Sequence, residues 1–146
     1  MFSHKLVDPR HARREDYRRF LLEAERDDLC PFCPEGLRRH PNPILKRTAH
    51  WFITKAAWRY RRAARHFLLI SRRHKENFLE LSGCDFVEIK TLMHWAVDKL
   101  NIRGGGIALR FGEPRLTGAT ISHLHFHFLV PRAGEEPVIF EIGSRR

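Results

Sequence analysis

Apolar and polar positions alternate strictly over His123-Leu124-His125-Phe126-His127-Phe128. That is the period of a strand with one polar and one apolar face. Ser122 to Val130 therefore reads as a strand. Trp51-Phe52-Ile53 and His66-Phe67-Leu68-Leu69-Ile70 read as two core strands, separated by a basic connection from Arg59 to Arg65. Ile107 to Phe111 predicts a further strand and Val138 to Ile142 a terminal one. Between them the spacing turns helical: Phe86, Ile89, Leu92, Met93, Ala96 and Leu100 form one buried stripe. Ser82 is its candidate N-cap, with Asp85 three residues on and Leu81 and Phe86 placed for a hydrophobic staple. Gly104-Gly105-Gly106 stop the chain soon after Asn101. Nearer the start, Asp8 can cap and Pro9 open a helix reaching about Glu25, with Ala12, Tyr17, Phe20, Leu21 and Ala24 at near-helical spacing. Residues 30–43 hold four prolines and one glycine and read as a loop. The order predicts an α+β domain: an antiparallel sheet of about five strands, one long helix packed on it, and an N-terminal helix.

A chain of 146 residues fits one domain. With 42% hydrophobic and 30% charged residues it is not a disordered composition. No apolar run approaches the roughly 20 residues of a membrane span, so no membrane partner is expected. Met1 to Lys5 lacks the apolar region of a signal peptide, and three cysteines make no disulfide framework. The expectation is a cytoplasmic protein with reduced thiols. A formal charge of +10 attracts phosphates: nucleotides, nucleic acid or an anionic surface. Arg10, Arg13, Arg14, Arg18 and Arg19 read first as a solvated helix face. No nucleic-acid module stands out beyond scattered arginines, so weak, non-specific duplex binding and no specific nucleic-acid partner are expected.

Three histidines on successive positions of one strand face are not a chance pattern in an exposed face. At about 3.3 Å per residue, same-face neighbours sit roughly 7 Å apart and the outer pair roughly 13 Å apart. A single metal with bonds of about 2.1 Å does not take all three from a regular strand, so the run serves at least two purposes. Cys30-Pro31-Phe32-Cys33 has two readings, a redox pair or half a zinc site. No strand precedes it, and Pro34 and Gly36 disfavour a helix after it, so the zinc reading is preferred, with two ligands still to be found. Cys84 reads as a small buried hydrophobe. Gly112 to Thr120 is either a plain turn or a phosphate cradle in which Thr117 and Thr120 add hydroxyls, with Arg110 and Arg115 close in sequence.

His-Leu-His-Phe-His-Phe-Leu resembles the HxHxHxx signature of the histidine triad (HIT) superfamily of nucleotide hydrolases and transferases. Arg65 to His74 (RHFLLISRRH) resembles the family's other strand, GHxLVIPKxH, and the likeness spans about residues 30–132. It implies a HIT-like domain over residues 30–146, with residues 1–29 as a basic helical extension. It implies a nucleotide substrate cleaved at a phosphoric anhydride or phosphoramidate bond, with His125 as nucleophile at the α-phosphorus and a nucleotidyl-histidine intermediate. Neutral imidazole suits that role near its ordinary pKa of about 6.5. His127 would bond the phosphoryl oxygens, and His66 would support the site from the neighbouring strand. Gly118 and Thr120 fall in the family's phosphate loop. Family branches with this CxxC, of the dinucleoside polyphosphate hydrolase and phosphorylase kind, and the related galactose-1-phosphate uridylyltransferases complete a structural Zn²⁺ site with two histidines. By motif these are His74 and His123, joining Cys30 and Cys33. A homodimer is implied as well. Two positions depart from the pattern: Ala119 stands for a frequent Gln, and Lys55 to Tyr60 offers no acid or amide for a ribose. The rival expectation is a zinc-stabilised module that holds nucleotides or nucleic-acid ends without turnover.

Overall fold

Strand pairing in the computed structural model, which describes residues 5–144, gives one five-stranded antiparallel sheet. The leader reading at Met1 to His4 lies outside the described residues. The strands are β1 (Ile44–Arg47), β2 (Trp51–Lys55), β3 (Ala63–Ser71), β4 (Gly106–Leu109) and β5 (His125–Pro131), in the order β1-β2-β3-β5-β4. β5 lies between β3 and β4, with His125 opposite Ile70 and His127 opposite both Leu68 and Ala108.

The period of two sorts the side chains onto two faces. Trp51, Ile53, Phe67, Leu69, Phe126 and Phe128 pack against Ile89, Leu92 and Ala96 of the long helix α3 (Gly83–Lys99). On the other face Phe52, Leu68 and Ile70 meet Leu21 and Ala24 of α1 (Glu15–Arg26), with Val7, Cys30, Phe32 and Ile121. Each Val, Leu, Ile or Phe side chain among them contributes roughly 1.5–3 kcal/mol on burial, so both faces hold the sheet. The histidines share the second face. Ser82 and Asp85 form the expected capping box at the start of α3. No helix among the described residues is long and apolar enough to cross a membrane.

Several expectations are corrected. Val138 to Ile142 is not a strand; its backbone is met by a side chain, Arg110 donating to the Glu141 carbonyl, and by no neighbouring strand. The fifth strand is instead β1, a half-exposed edge ending in Lys46 and Arg47, charges that protect an unpaired edge. β3 starts at Ala63, inside the basic connection. The histidine strand begins only at His125, because the Ser122 and Leu124 amides bond to the Leu6 and Lys75 carbonyls. Asp8 caps, but it caps a 3₁₀ turn, Pro9–His11. Val7 bridges Ile121 and the Asp8 amide bonds the Thr120 carbonyl, which fixes the chain's course before α1 can begin. The loop over residues 30–43 contains the short helix α2 (Pro34–Leu37), and the Gly112–Thr120 stretch contains α4 (Pro114–Thr117). Phe86 is 43% exposed beside Phe78 and Phe111's cluster, and Cys84 is exposed too. Both sit in the first turn of α3.

Candidate functional site

Two groups of side chains form around the start and middle of β5. The first joins the turn before α2, the end of β3 and the residue run entering β5. Cys30 Sγ lies 3.3 Å from His123 Nδ1, and Cys33 Sγ lies 3.3 Å from His74 Nδ1 and 3.6 Å from His123 Nδ1. The two Nδ1 atoms are 3.2 Å apart. A tetrahedron with Zn–S of about 2.3 Å and Zn–N of about 2.1 Å has edges of roughly 3.3–3.8 Å. All four donor atoms lie within 4.8 Å of one another, so the group fits a metal ion of that size. The donor chemistry agrees. His123 Nε2–H donates to the Ser71 carbonyl at 2.5 Å, which leaves Nδ1 with a bare lone pair facing the sulfurs. His74 Nε2 sits 3.6 Å from a Glu76 carboxylate oxygen, a partner of the same kind. Burial pushes the Cys30 thiol up to about 12, so a thiolate there needs a cation beside it. Gly36 makes the turn possible: a Cβ would stand 2.0 Å from the Cys30 carbonyl oxygen.

The second group lies further along the strand. The Tyr60 amide donates to His66 Nδ1 at 3.1 Å, so neutral His66 carries its proton on Nε2. That Nε2–H donates to His127 Nδ1 at 2.9 Å. His127 then carries its own proton on Nε2. His125 is the reverse: Nδ1–H donates to the His123 carbonyl at 2.7 Å, and Nε2 keeps the lone pair. Burial first, then the His125 and Arg110 charges, takes His66 down to about 3. Burial takes His125 to about 4, opposed by its bond to the His123 carbonyl. Burial also holds His127 well below the usual imidazole range. All three rings are neutral at pH 7, and the site shifts His125 below the ordinary imidazole value of about 6.5.

A cleft of about 1650 Å³ is bordered by His66, His125, His127, Arg110, Gly118 and Thr120. Arg115 and Thr117 are not on its wall. Arg115 pairs with Glu113 at 2.6 Å, and Thr117 donates back to the Glu113 carbonyl within α4. Thr120 Oγ1 is 2.5 Å from the Tyr17 hydroxyl of α1. The four candidate metal ligands do not border the cleft either, so the two groups are separate compartments of one strand.

Residues outside the expected set pack around the histidines. Phe32, between the cysteines, sets its ring edge-on to His125 at 4.9 Å. Tyr60 packs 5.2 Å from His127 and accepts from Arg110 at 3.0 Å. Phe140 lies 5.2 Å from His127, with the Arg110 guanidinium 3.9 Å above its ring. Phe32 was signalled by its place inside the CxxC. Nothing in the spacing of the tail signals Phe140.

No family model matches the chain, and no curated protein does. Solved structures do. A HIT family hydrolase from Clostridium thermocellum is 23% identical over 75% of this chain and 96% of its own, with a TM-score of 0.56. A zinc-bound histidine triad family protein from Mycobacterium smegmatis is 20% identical over 80% and 84%, also with a TM-score of 0.56. A histidine triad nucleotide-binding protein from Candida albicans is 17% identical over 77% and 86%, with a TM-score of 0.57. At these identities the likeness is one of fold, and the α+β fold of this chain is the HIT fold.

Proposed function

We propose that the chain is a nucleotide hydrolase or nucleotidyl transferase that attacks the α-phosphorus of a nucleoside polyphosphate or phosphoramidate through His125. The observation that carries this is the set of partners around two neighbouring rings, centroids 4.9 Å apart, which assigns them opposite tautomers. His125 Nε2 offers a lone pair and His127 Nε2 offers a proton, and both residues border one cleft. A nucleophile beside a donor is what an in-line displacement at phosphorus needs. The Nε2 lone pair forms a P–N bond as the bond to the leaving group breaks, the electron pair leaving with that group. His127 Nε2–H holds a phosphoryl oxygen where charge develops, and Arg110 supplies positive charge nearby. Water or another acceptor then attacks phosphorus and loses its proton to solvent. The P–N bond breaks and its electron pair returns to Nε2.

The likeness to a zinc-bound protein of this fold supports Zn²⁺ at Cys30, Cys33, His74 and His123. Four protein ligands leave no open position, so the ion would be structural, tying the turn before α2 to the strand that carries His125. The resemblance of the histidine motif to this family also implies a homodimer.

The test is turnover of dinucleoside polyphosphates and adenylyl phosphoramidates by the wild type and H125A. Product from the wild type alone, with label from an α-phosphate trapped on His125, is expected. Label on another residue, or normal turnover by H125A, overturns the assignment. A second reading, a nucleotide-holding module, draws on Arg110 being already engaged by the Glu141 carbonyl and Tyr60. Tight nucleotide binding with no product selects it.

A further inference from the structure

We propose that the reacting nucleotide is presented at the end of a single nucleic-acid strand, held along a cationic wall that leads away from the histidines over the β2–β3 connection. The proposal takes its starting point, the reacting phosphate at His125, from the preceding reading. The first observation is size. Pockets for small ligands run to roughly 300–1,000 Å³, and this cleft is about 1650 Å³.

The second is charge. Among the described residues, ten Lys and Arg residues border the cleft, with one carboxylate, Glu141. The lining is thus strongly cationic, in a chain whose formal net charge is +10. Five of the ten cations are held by carboxylates, Arg13 by Glu141 among them. The other five are Lys55, Arg59, Arg61, Arg65 and Arg110, and no salt bridge to a described carboxylate engages them. Four of these fall within residues 55–65, and all four are exposed.

The third is chemistry along that stretch. Trp58 and Tyr60 alternate with the arginines, are half-buried, and border the cleft. Trp58 is held in place by stacking on Tyr17 at 4.7 Å. Successive exposed cations match a strand with one phosphate per nucleotide, and the half-buried Trp58 ring at the cleft adds an aromatic contact for a base. A mononucleotide gathers its charge at the reacting centre and leaves Lys55, Arg59 and Arg61 without anions. A duplex end brings stacked, paired bases that leave the rings unused. The attraction is to backbone charge, so it is tolerant of sequence.

The test is fluorescence anisotropy with a 5′-phosphorylated, 3′-labelled decathymidylate, competed by diadenosine tetraphosphate, AMP and a blunt duplex, at several salt concentrations. Three or more phosphate contacts give a log–log salt slope of about −2 or steeper for a single strand. The strand is expected to bind at least about tenfold more tightly than the dinucleotide. K55Q/R61Q should lose about tenfold in strand affinity, and R59Q/R65Q should do likewise if the first variant fails to fold. K90Q/K99Q removes equal charge from α3, away from the cleft, and should stay within about twofold. Equal affinity for the dinucleotide or the duplex overturns the proposal. So does an equal loss in the α3 variant, or no loss in either connection variant. Affinity is read without turnover, so this result is separable from the preceding reading. A strand bound by an inert protein defeats the nucleophile, whereas turnover of small phosphoramidates with no strand preference defeats the wall.

Discussion

His123 and His127 stand four residues apart, both buried, both neutral, and both with a proton on Nε2. Their surroundings give them opposite uses. His123 spends its Nε2–H on the Ser71 carbonyl and turns a lone pair toward two sulfurs and a second imidazole. Its corner is saturated once a cation is present. His127 spends its lone pair on His66 and turns an N–H toward the cleft, beside the unspent lone pair of His125. One end of the histidine run is closed and the other open. The difference lies in which nitrogen a neighbour has already used, and not in the residue type.

The largest expected effect breaks the open end. H125A should lose about 10³-fold or more in kcat, roughly 4 kcal/mol, with nucleotide affinity largely kept. H127A should lower both kcat and affinity, since phosphoryl contacts act before and during the reaction. The same site sets a pH signature. His125 must be neutral to attack, and burial holds it at about 4, so activity should stay level as pH falls through 6.5 and drop only near 4. A pH–rate profile of kcat/KM falling at 6.5 would mean that the ring is solvated in the working enzyme. The next effect breaks the closed end. C33S or H74A should lose the metal by elemental analysis and lower the melting temperature by several degrees, about 2–4 kcal/mol, because ion binding is also folding energy. H125A should keep the metal and the melting temperature, which separates the two compartments.

Much of this arrangement was legible in the sequence, for unequal reasons. The alternation at 123–128 shows both faces of β5, and the stripe from Ile89 to Ala96 shows the helix that covers one of them. Those are local periodicities. β1 carries no such signal, because Ile44-Leu45-Lys46-Arg47 does not alternate. The tail resembles a strand because Val138-Ile139-Phe140 is apolar and begins with two β-branched residues, yet its backbone partner is a long-range side chain. Asp8 is a real cap on the wrong element, since pairing at Val7 and Ile121 overrides helix propensity. At the site, Cys30 and Cys33 announce themselves by spacing, whereas His74 and His123 lie just outside the paired stretches of β3 and β5 and are named in the sequence by the family resemblance alone. The depressed histidine values follow from burial, which spacing does not report.

A third prediction sharpens the comparison through acid. His66 and His127 are neutral when folded and free to charge when unfolded. Between about 3, the folded value of His66, and an unfolded value near 6.5, the unfolded chain binds more protons. Stability should therefore fall as pH drops from 6.5 toward 3, and H66N should flatten that slope. Urea midpoints at pH 7, 5.5 and 4.5 check it. A slope unchanged in H66N would place the acid sensitivity elsewhere.

The smallest effect tests the face that neither compartment uses. Asp85 is 4% exposed, and it accepts from the Ser82 amide at 2.7 Å, Trp51 Nε1 at 2.8 Å and Lys75 Nζ at 3.3 Å. Burial opposes its charge, but those donors win and hold the carboxyl at about 2, against 3.8 unperturbed. Its folded value is depressed, so the stabilisation is fully present above 3.8 and is lost as pH falls through 2. A shift of that size corresponds to about 2 kcal/mol at neutral pH. D85N keeps the shape but turns an NH₂ toward one of the donors, so it should lower stability by about 1–2 kcal/mol at pH 7. The gap between D85N and wild type should narrow below pH 3.8. Asp85 lies on the α3 side of the sheet, so metal content should not change. A D85N protein that lost its metal as well would show that the capping network at α3 and the closed corner unfold as one unit.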